Sequence, residues 1–124
     1  MRVLVCGDRN WTDEKTIEDF IKTLPKDTVI IEGEASGADT ITRKVAEGYG
    51  LEVLKFPAEW NKYGRAAGPI RNSKMIDEGK PNIVVAFHNN LSKSKGTKNM
   101  IEQAIAWSIK VKVIMSGEME SIEV

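Results

Sequence analysis

Five short apolar runs, separated by segments of helical periodicity, constrain the fold of this chain more than any other feature of its sequence. The runs cover residues 2–6, 28–31, 51–56, 82–87 and 111–115. Short runs rich in Val and Ile are typical of strands that are buried on both faces. Because strands alternate with helices along the chain, the pattern predicts an α/β domain with a doubly wound, parallel, five-stranded sheet and helices on both faces.

The segments between the runs carry the signals of helices. Thr12 can cap the first helix, Gly50 suits the end of the second, and Pro69 suits the first turn of the third. The predicted helices cover residues 13–24, 38–49, 69–78 and 96–109. Residues 1–115 are therefore predicted to form one domain, and the polar residues 116–124, with three Glu, to form an acidic tail or an oligomer contact.

The charge balance and the cysteine count argue against several classes of protein. The chain has 18 basic and 18 acidic residues and no net charge, which argues against a binder of duplex nucleic acid. Cys6 is the only cysteine, and no Cys/His cluster has the spacing of a metal site. No apolar run approaches the ~20 residues that cross a bilayer. We therefore expect a cytoplasmic protein without a metal, a recognisable cofactor motif or a membrane partner.

Most of the unusual residues of the chain follow directly after predicted strands. Residues 7–11 follow the first strand, 33–39 the second, 57–68 the third and 88–97 the fourth. The carboxyl ends of parallel strands share one edge of the sheet, and ligands bind there, near the point where the strand order reverses. The connection 57–68 is also unusually long for a compact domain, and long loops are often functional. These segments are predicted to form one site.

The charged and glycine-containing segments at this edge suit a phosphate. Arg9, Arg65 and Arg71 can bind it through their guanidinium groups. The turn 33–39 and the pair Gly96-Thr97 can bring backbone N–H groups close to it, at the start of a helix.

Other side chains at the same edge suit a base and a sugar. Trp60, Tyr63 or Trp11 can stack on a base, and Glu34 or Asp39 can accept hydrogen bonds from sugar hydroxyls. The predicted ligand-binding residues are Gly7, Arg9, Trp11, Gly33, Glu34, Ala35, Gly37, Asp39, Trp60, Tyr63, Gly64, Arg65, Gly68, Arg71, Asn72, Gly96 and Thr97.

Each of these features also has a purely structural interpretation. The turn 33–39 can be a tight strand–helix connection that needs glycine for packing, and Asp39 can compensate the dipole of its helix. Trp11 can pack over the first helix, and residues 57–72 can be a packed lid without a ligand.

Four ordered motifs resemble those of a known family. They are GDRNW at residues 7–11, GEASGAD at 33–39, FPAEW at 56–60 and GRAAGPIRN at 64–72. Over about residues 1–115 the chain resembles the DUF2493 or YspA-like family, a bacterial and phage branch of the SLOG superfamily. The resemblance implies a Rossmann-like fold, a nucleotide or nucleotide-derived ligand, and a homo-oligomer of two or more subunits. It also implies kinship with the Lonely Guy phosphoribohydrolases, in which an Arg matching Arg71 assists catalysis.

The resemblance also bears on turnover, because the enzyme relatives carry a Pro-Gly-Gly-x-Gly-Thr-x-x-Glu motif. Gly96 and Thr97 match its Gly-Thr pair, but Met100 stands at the position of the catalytic Glu. A thioether cannot stabilise an oxocarbenium ion or activate water. The leading hypothesis is therefore a protein that binds a nucleotide-derived small molecule as a sensor or sink, without turnover.

Two alternative functions remain open from the sequence. The first is a nucleoside-phosphate or ADP-ribose-type N-glycosidic hydrolase, for which His88 and Glu34 are the catalytic candidates. The second is a single-stranded nucleic-acid-binding module, which aromatic residues near arginines would suit, although the zero net charge argues against it.

Overall fold

The five apolar runs form five parallel strands of one sheet in the computed structural model, which describes residues 1–117, 122 and 123. The strands are β1 (Arg2–Gly7), β2 (Val29–Glu32), β3 (Glu52–Lys55), β4 (Ile83–Phe87) and β5 (Lys110–Ile114). Their order in the sheet is β3-β2-β1-β4-β5. The predicted α/β class and the five-stranded parallel sheet are confirmed, and the arrangement is Rossmann-like.

Alternation along the central strand divides the core between the two faces of the sheet. Val3 and Val5 face one side, where they belong to a cluster with Ile17 and other buried residues. Leu4 and Cys6 face the other side and pack in a second cluster. The helices that cover the sheet are α1 (Glu14–Ile21), α2 (Ala38–Gly48), α4 (Ala67–Gly79) and α5 (Gly96–Ala106), with a one-turn helix α3 (Trp60–Tyr63) before α4.

The first helix is capped one residue later than the sequence predicts. Asp13, not Thr12, is the N-cap: its Oδ1 accepts a hydrogen bond from the Thr16 backbone N–H at 3.1 Å. Its Oδ2 accepts a second from the Thr16 hydroxyl at 2.7 Å. Thr12 and Asp13 are both good capping residues, and Asp13 is favoured here because Thr16 offers its carboxylate two donors.

The connection after β3 is more ordered than a plain loop. Residues predicted as loop form α3 and a 3-10 turn (Gly64–Ala66), and α4 begins at Ala67, two residues before Pro69. Pro69 thus lies within the first turn of α4, where its missing N–H removes no intrahelical hydrogen bond.

The residues directly after β5 form hydrogen bonds with the start of α1. The Gly117 N–H donates to the Thr16 hydroxyl at 2.9 Å, and the Ser116 hydroxyl donates to the Asp13 carboxylate. A short strand β6 (Ile122–Glu123) then pairs antiparallel with β5 at the edge of the sheet. The other positions of the predicted acidic tail, 118–121 and 124, lie outside the described residues.

Among the described residues, none of the helices combines the length and the apolar character that crossing a membrane requires.

The position of greatest functional interest is the point between β1 and β4 at which the strand order reverses. In open parallel sheets the loops separate there in opposite directions and leave a crevice at the carboxyl ends of the strands.

Candidate functional site

A cavity of about 380 Å³ opens at the carboxyl ends of β1 and β4, where the strand order reverses. Its volume lies within the range of roughly 300–1,000 Å³ that is usual for small-molecule sites. Four separate stretches of the chain form its walls. The lining residues are Cys6, Gly7, Asp8, Arg9, Asn10, Ala35, Asp39, Arg71, Asn72, Met75, His88, Lys93, Ser94, Lys95, Gly96 and Thr97.

Arg71 is the most firmly positioned cation of the cavity. Its Nε donates to Asn72 Oδ1 at 3.0 Å, and its Nη1 donates to the backbone carbonyl of Gly33. Asn72 is fixed in turn, since its amide nitrogen donates to the Gly96 carbonyl at 3.3 Å and to Asn99 Oδ1 at 3.1 Å. A guanidinium that is held before a ligand arrives loses little side-chain entropy on binding an anion.

Arg9, Lys93 and Lys95 are the other cations in the cavity wall, and all three are exposed. Arg9 lies in the loop after β1, whereas the two lysines precede α5. The loop after β1 and the segment before α5 therefore both add positive charge to the cavity wall, in addition to Arg71. The carboxylates of Asp8 and Asp39 also belong to the wall, so the site offers acceptors as well as donors.

The turn after β2 does not offer the backbone donors that its sequence predicts. Asp39 Oδ2 accepts hydrogen bonds from the N–H groups of Gly33 and Ala35, each at 3.2 Å. Glu32 Oε1 accepts one from the Glu34 N–H at 2.8 Å. Because side chains of the chain itself satisfy these three amides, the prediction that they bind a phosphate is wrong. Asp39 instead acts as a positioning residue that holds the turn against the cavity.

Glu34 lies away from the cavity, although it was a candidate both for sugar binding and for catalysis. Its backbone adopts a φ of +59°, and its Oε1 lies 3.2 Å from Arg43 Nε. The ion pair with Arg43 on α2 holds the Glu34 side chain. The cavity wall in the described structure does not include Glu34.

The glycines of the predicted site serve different purposes. A Cβ on Gly7 would lie 2.3 Å from the Phe87 carbonyl oxygen, and one on Gly37 would lie 2.4 Å from the Arg9 backbone. A Cβ on Gly33 would lie 2.5 Å from Arg71 Nη1, at the end of a side chain. Gly7 and Gly37 are therefore required for close packing of the loops against backbone, whereas a side chain at Gly33 would displace the Arg71 guanidinium.

The remaining three glycines make no such close approach. A Cβ on Gly64 or Gly96 would meet nothing within 4 Å, and one on Gly68 would only touch the Trp60 ring at 3.5 Å. Gly96 lines the cavity, but Gly64 and Gly68 do not belong to its wall in the described structure.

The aromatic side chains predicted to stack on a base do not line this cavity. Trp11 is only 4% exposed and packs edge-on against Phe87 with ring centroids 5.7 Å apart, so its prediction as a stacking residue is wrong. Its indole N–H donates to the Asp13 carbonyl at 2.8 Å. Trp60 is 53% exposed on α3, Tyr63 is exposed on the same helix, and Arg65 is exposed in the 3-10 turn that follows. None of these three residues belongs to the wall of this cavity in the described structure.

His88 lines the cavity, and one of its two ring nitrogens already has a partner within the chain. Its Nδ1 accepts a hydrogen bond from the Asn90 backbone N–H at 3.0 Å. A backbone N–H can only donate, so Nδ1 carries the lone pair and the proton of the neutral ring resides on Nε2. With its basic nitrogen occupied in this way, His88 does not present a general base to a ligand.

Three further residues have clear structural roles. Burial raises the pKa of the Cys6 thiol well above its usual range, so it is not a nucleophile although it lines the cavity. Met100, at the position of the enzymes' Glu, lies on α5 and is fully buried in the core. The Thr97 N–H donates to the Ser94 hydroxyl at 3.0 Å, and this bond closes the turn that begins α5.

Two buried carboxyls next to the cavity have raised pKa values. Burial raises the pKa of Asp39 to about 6, although the Ala35 N–H and the Arg71 guanidinium oppose the shift. Burial also raises the pKa of Glu32 to about 8, and the neighbouring Glu34 and Asp39 carboxyls act in the same direction. Glu32 is fully buried, and its Oε2 has no hydrogen-bond partner among the described residues. The charged form of Glu32 is therefore the unfavourable one in the folded protein.

We expect the Glu32→Gln substitution to stabilise the protein at pH 8 and to have little effect at pH 5. The folded protein holds the Glu32 proton to higher pH than the unfolded chain, so the wild-type free energy of unfolding falls as pH rises from about 5 to 8. Glutamine does not titrate, so the variant does not lose this part of the free energy of unfolding at high pH. Its side-chain oxygen still accepts the hydrogen bond from the Glu34 N–H. The expected gain at pH 8 is at least about 1 kcal/mol in urea unfolding.

The exposed Glu52 provides the matched control for this experiment. Glu52→Gln should leave the pH dependence of stability as in the wild type. A Glu32→Gln protein whose stability falls between pH 5 and pH 8 as steeply as the wild type would show that Glu32 is not the group that titrates.

Sequence reasoning missed several members of the cavity wall. Asp8 and Asn10 lie inside a motif that was identified, but only their neighbours were selected. Their position directly after β1 is the signal that would have found them. Met75 is one turn beyond Arg71 on α4, and only the tertiary packing of α4 brings it to the cavity.

Comparisons with known proteins agree with this fold. A model of the family described as "YspA, cpYpsA-related SLOG family" matches residues 1–63. The Gene 61 protein of Mycobacterium phage D29 is 32% identical over 112 residues, which cover 83% of this chain and 87% of that protein. Among solved structures, DNA processing protein A (DprA) from Streptococcus pneumoniae superposes with a TM-score of 0.74 at 21% sequence identity. That match covers 95% of this chain but 51% of DprA, so this chain spans about half of its length.

Proposed function

Because the chain belongs to the YspA, cpYpsA-related SLOG family, we propose that it binds a nucleotide-derived small molecule in the cavity between β1 and β4, without turnover, as a sensor or sink. The observation that carries the proposal is the convergence of Arg9 and the fixed Arg71 guanidinium on one cavity of about 380 Å³ at the reversal of strand order. Arginines in such a position suit a phosphate group.

The other groups of the wall suit the rest of a nucleotide. The Nε2–H group of His88 supplies a neutral donor, and Asp8 and Asp39 supply acceptors that fit hydroxyl groups. A ligand with a phosphate and a sugar needs this combination of cations, a donor and acceptors. An apolar ligand would leave these polar groups without partners, at a cost in affinity.

Three observations support binding without hydrolysis. Met100 is in the core, Glu34 pairs with Arg43 outside the cavity, and the Nδ1 atom of His88 is occupied by a backbone N–H. The Asp39 carboxyl reaches the cavity but accepts two backbone hydrogen bonds. None of these four side chains is therefore placed to cleave a ligand in the cavity.

The experiment is a binding and turnover assay on one set of compounds. Calorimetric titration with adenosine, guanosine, cytidine and uridine 5′-monophosphates should give binding of at least one of them, and chromatography after prolonged incubation should give no free base. Base release that the Asp39→Asn substitution abolishes would replace the binding function by a hydrolase. Failure of all four to bind would reject the proposal.

The similarity to a protein named for DNA processing makes a single-stranded oligonucleotide the useful comparison ligand. An extended strand needs an open groove with stacking faces along it, whereas the cavity between β1 and β4 is small and has no Trp, Tyr or Phe among its described lining residues. We therefore expect an oligonucleotide to bind no more tightly than its component nucleotide. Strong, salt-dependent binding of the strand would favour the nucleic-acid alternative.

A further inference from the structure

A second cavity, of about 240 Å³, lies at the carboxyl end of β3, next to the cavity between β1 and β4. Phe56 directly follows β3, and Tyr63 and Ile70 contribute the other large apolar parts of the wall. Arg71 belongs to the walls of both cavities. The two spaces are therefore neighbours along the same edge of the sheet, and one fixed guanidinium lies between them.

The volume of the second cavity argues that it does not serve a ligand of its own. Independent small-molecule sites usually occupy roughly 300–1,000 Å³, and this space is smaller. It has the size of an extension to a larger site, into which one part of a bound molecule would project.

The wall of the second cavity combines aromatic side chains with charges of both signs, the cations Lys55, Arg71 and Lys74 and the carboxylates Glu59 and Glu78. Phe56 and Tyr63 offer apolar ring surface, and Lys74 lies one turn beyond Arg71 on α4. Lys55 Nζ lies 3.8 Å from Glu47 Oε2, but within the part of the chain that the structure describes no carboxylate pairs with Lys74. Ring surface beside the held guanidinium of Arg71 suits a base that is joined to a phosphate.

We propose that the second cavity is a subsite for the second unit of a two-unit nucleotide, whose linking phosphate lies against Arg71. This inference rests on the proposed function, since the first unit occupies the cavity between β1 and β4. In this arrangement Arg71 contacts the phosphate that links the two units. Tyr63 stacks on the second base, and Lys74 neutralises a further phosphate oxygen. Glu59, also in this wall, offers an acceptor for a sugar hydroxyl or a base amino group.

The test compares each nucleoside 5′-monophosphate with the matching 5′-phosphorylated dinucleotide by calorimetric titration. A base that stacks on an aromatic side chain strengthens binding by at least about fivefold, and we expect this gain for the dinucleotide. Tyr63→Ala and Lys74→Ala should each remove most of that gain and leave the affinity for the monophosphate unchanged. Lys74 is exposed, so its variant keeps the test valid if Tyr63→Ala disturbs α3.

Trp60→Ala is the control, because Trp60 is an exposed aromatic residue of the same short helix and lines neither cavity in the described structure. It should change neither affinity. Equal affinities for the monophosphate and the dinucleotide would overturn the proposal of a subsite. The same holds if neither Tyr63→Ala nor Lys74→Ala reduces the gain of the dinucleotide. In both cases the proposed function still stands.

Two other outcomes are also decisive. If no monophosphate and no dinucleotide binds, the proposed function fails and the subsite fails with it. If affinity continues to rise severalfold as nucleotides are added beyond two, the ligand is a strand and the two-unit limit is wrong.

Discussion

Arg71→Ala is expected to weaken binding of the 5′-monophosphate ligand by about 10- to 100-fold. A hydrogen bond to a charged group contributes about 1.5–3 kcal/mol, and every 1.4 kcal/mol corresponds to a factor of ten. Arg71 should lie at the upper part of this range, since Asn72 Oδ1 and the Gly33 carbonyl already hold its guanidinium in place. Calorimetric titration gives the affinity, and circular dichroism checks that the fold is intact.

Arg65→Ala is the matched control for this experiment. Arg65 lies in the 3-10 turn before α4, is exposed, and lines neither cavity in the described structure, although its sequence context predicted a phosphate contact. The structure leads us to expect less than a twofold change in affinity. If Arg65→Ala and Arg71→Ala weaken binding equally, the ligand does not occupy the cavity between β1 and β4.

Gly37→Ala is expected to destabilise the fold by about 2–6 kcal/mol. Gly37 caps α2 with a φ of +74° and a ψ of −123°, a backbone conformation that costs an L-residue about 1–3 kcal/mol. Its new Cβ would also lie 2.4 Å from the backbone of Asp8 and Arg9, and overpacking of this kind costs about 1–3 kcal/mol. Urea unfolding followed by circular dichroism measures the change in the free energy of unfolding.

Gly50→Ala separates the two causes of this loss. Gly50 has a similar φ of +78°, but a Cβ there would meet nothing within 4 Å. Its substitution should therefore cost only the backbone contribution, about 1–2 kcal/mol. Equal losses for the two variants would show that the loop after β1 does not pack closely on the start of α2, which would remove one wall of the cavity.

The arginines and aromatic residues of the candidate site show where sequence reasoning succeeds and where it fails. Arg9, Arg71 and Asn72 were selected because they lie just after a strand or at the start of a helix, and all three line the cavity. Trp11 follows the same strand as Arg9, yet it packs against Phe87 in the core. Position after a strand places a residue at the correct edge of the sheet, but the direction of its side chain depends on the turn that follows.

The backbone donors of the turn 33–39 show a second kind of failure. A glycine-containing turn at the start of a helix is typical of a phosphate site, and this pattern favoured backbone donors in the turn 33–39 in spite of the carboxylates of Glu32 and Glu34 beside it. In the structure, Asp39 and Glu32 occupy these N–H groups. Which of several acceptors a backbone N–H will find depends on side-chain rotamers that no spacing rule specifies.

The sequence by itself determined the strands, their parallel arrangement and the edge at which a ligand would bind, because these follow from local apolar runs and from the rules of chain crossover. Only the tertiary structure decided which side chains share a cavity. The packing of α4 places Arg71 in the walls of two cavities, while Trp60 on α3 and Arg65 in the 3-10 turn after it line neither in the described structure. The physical reason is that hydrophobic patterning is encoded along the chain, whereas the direction of a side chain is set by contacts between residues far apart in it.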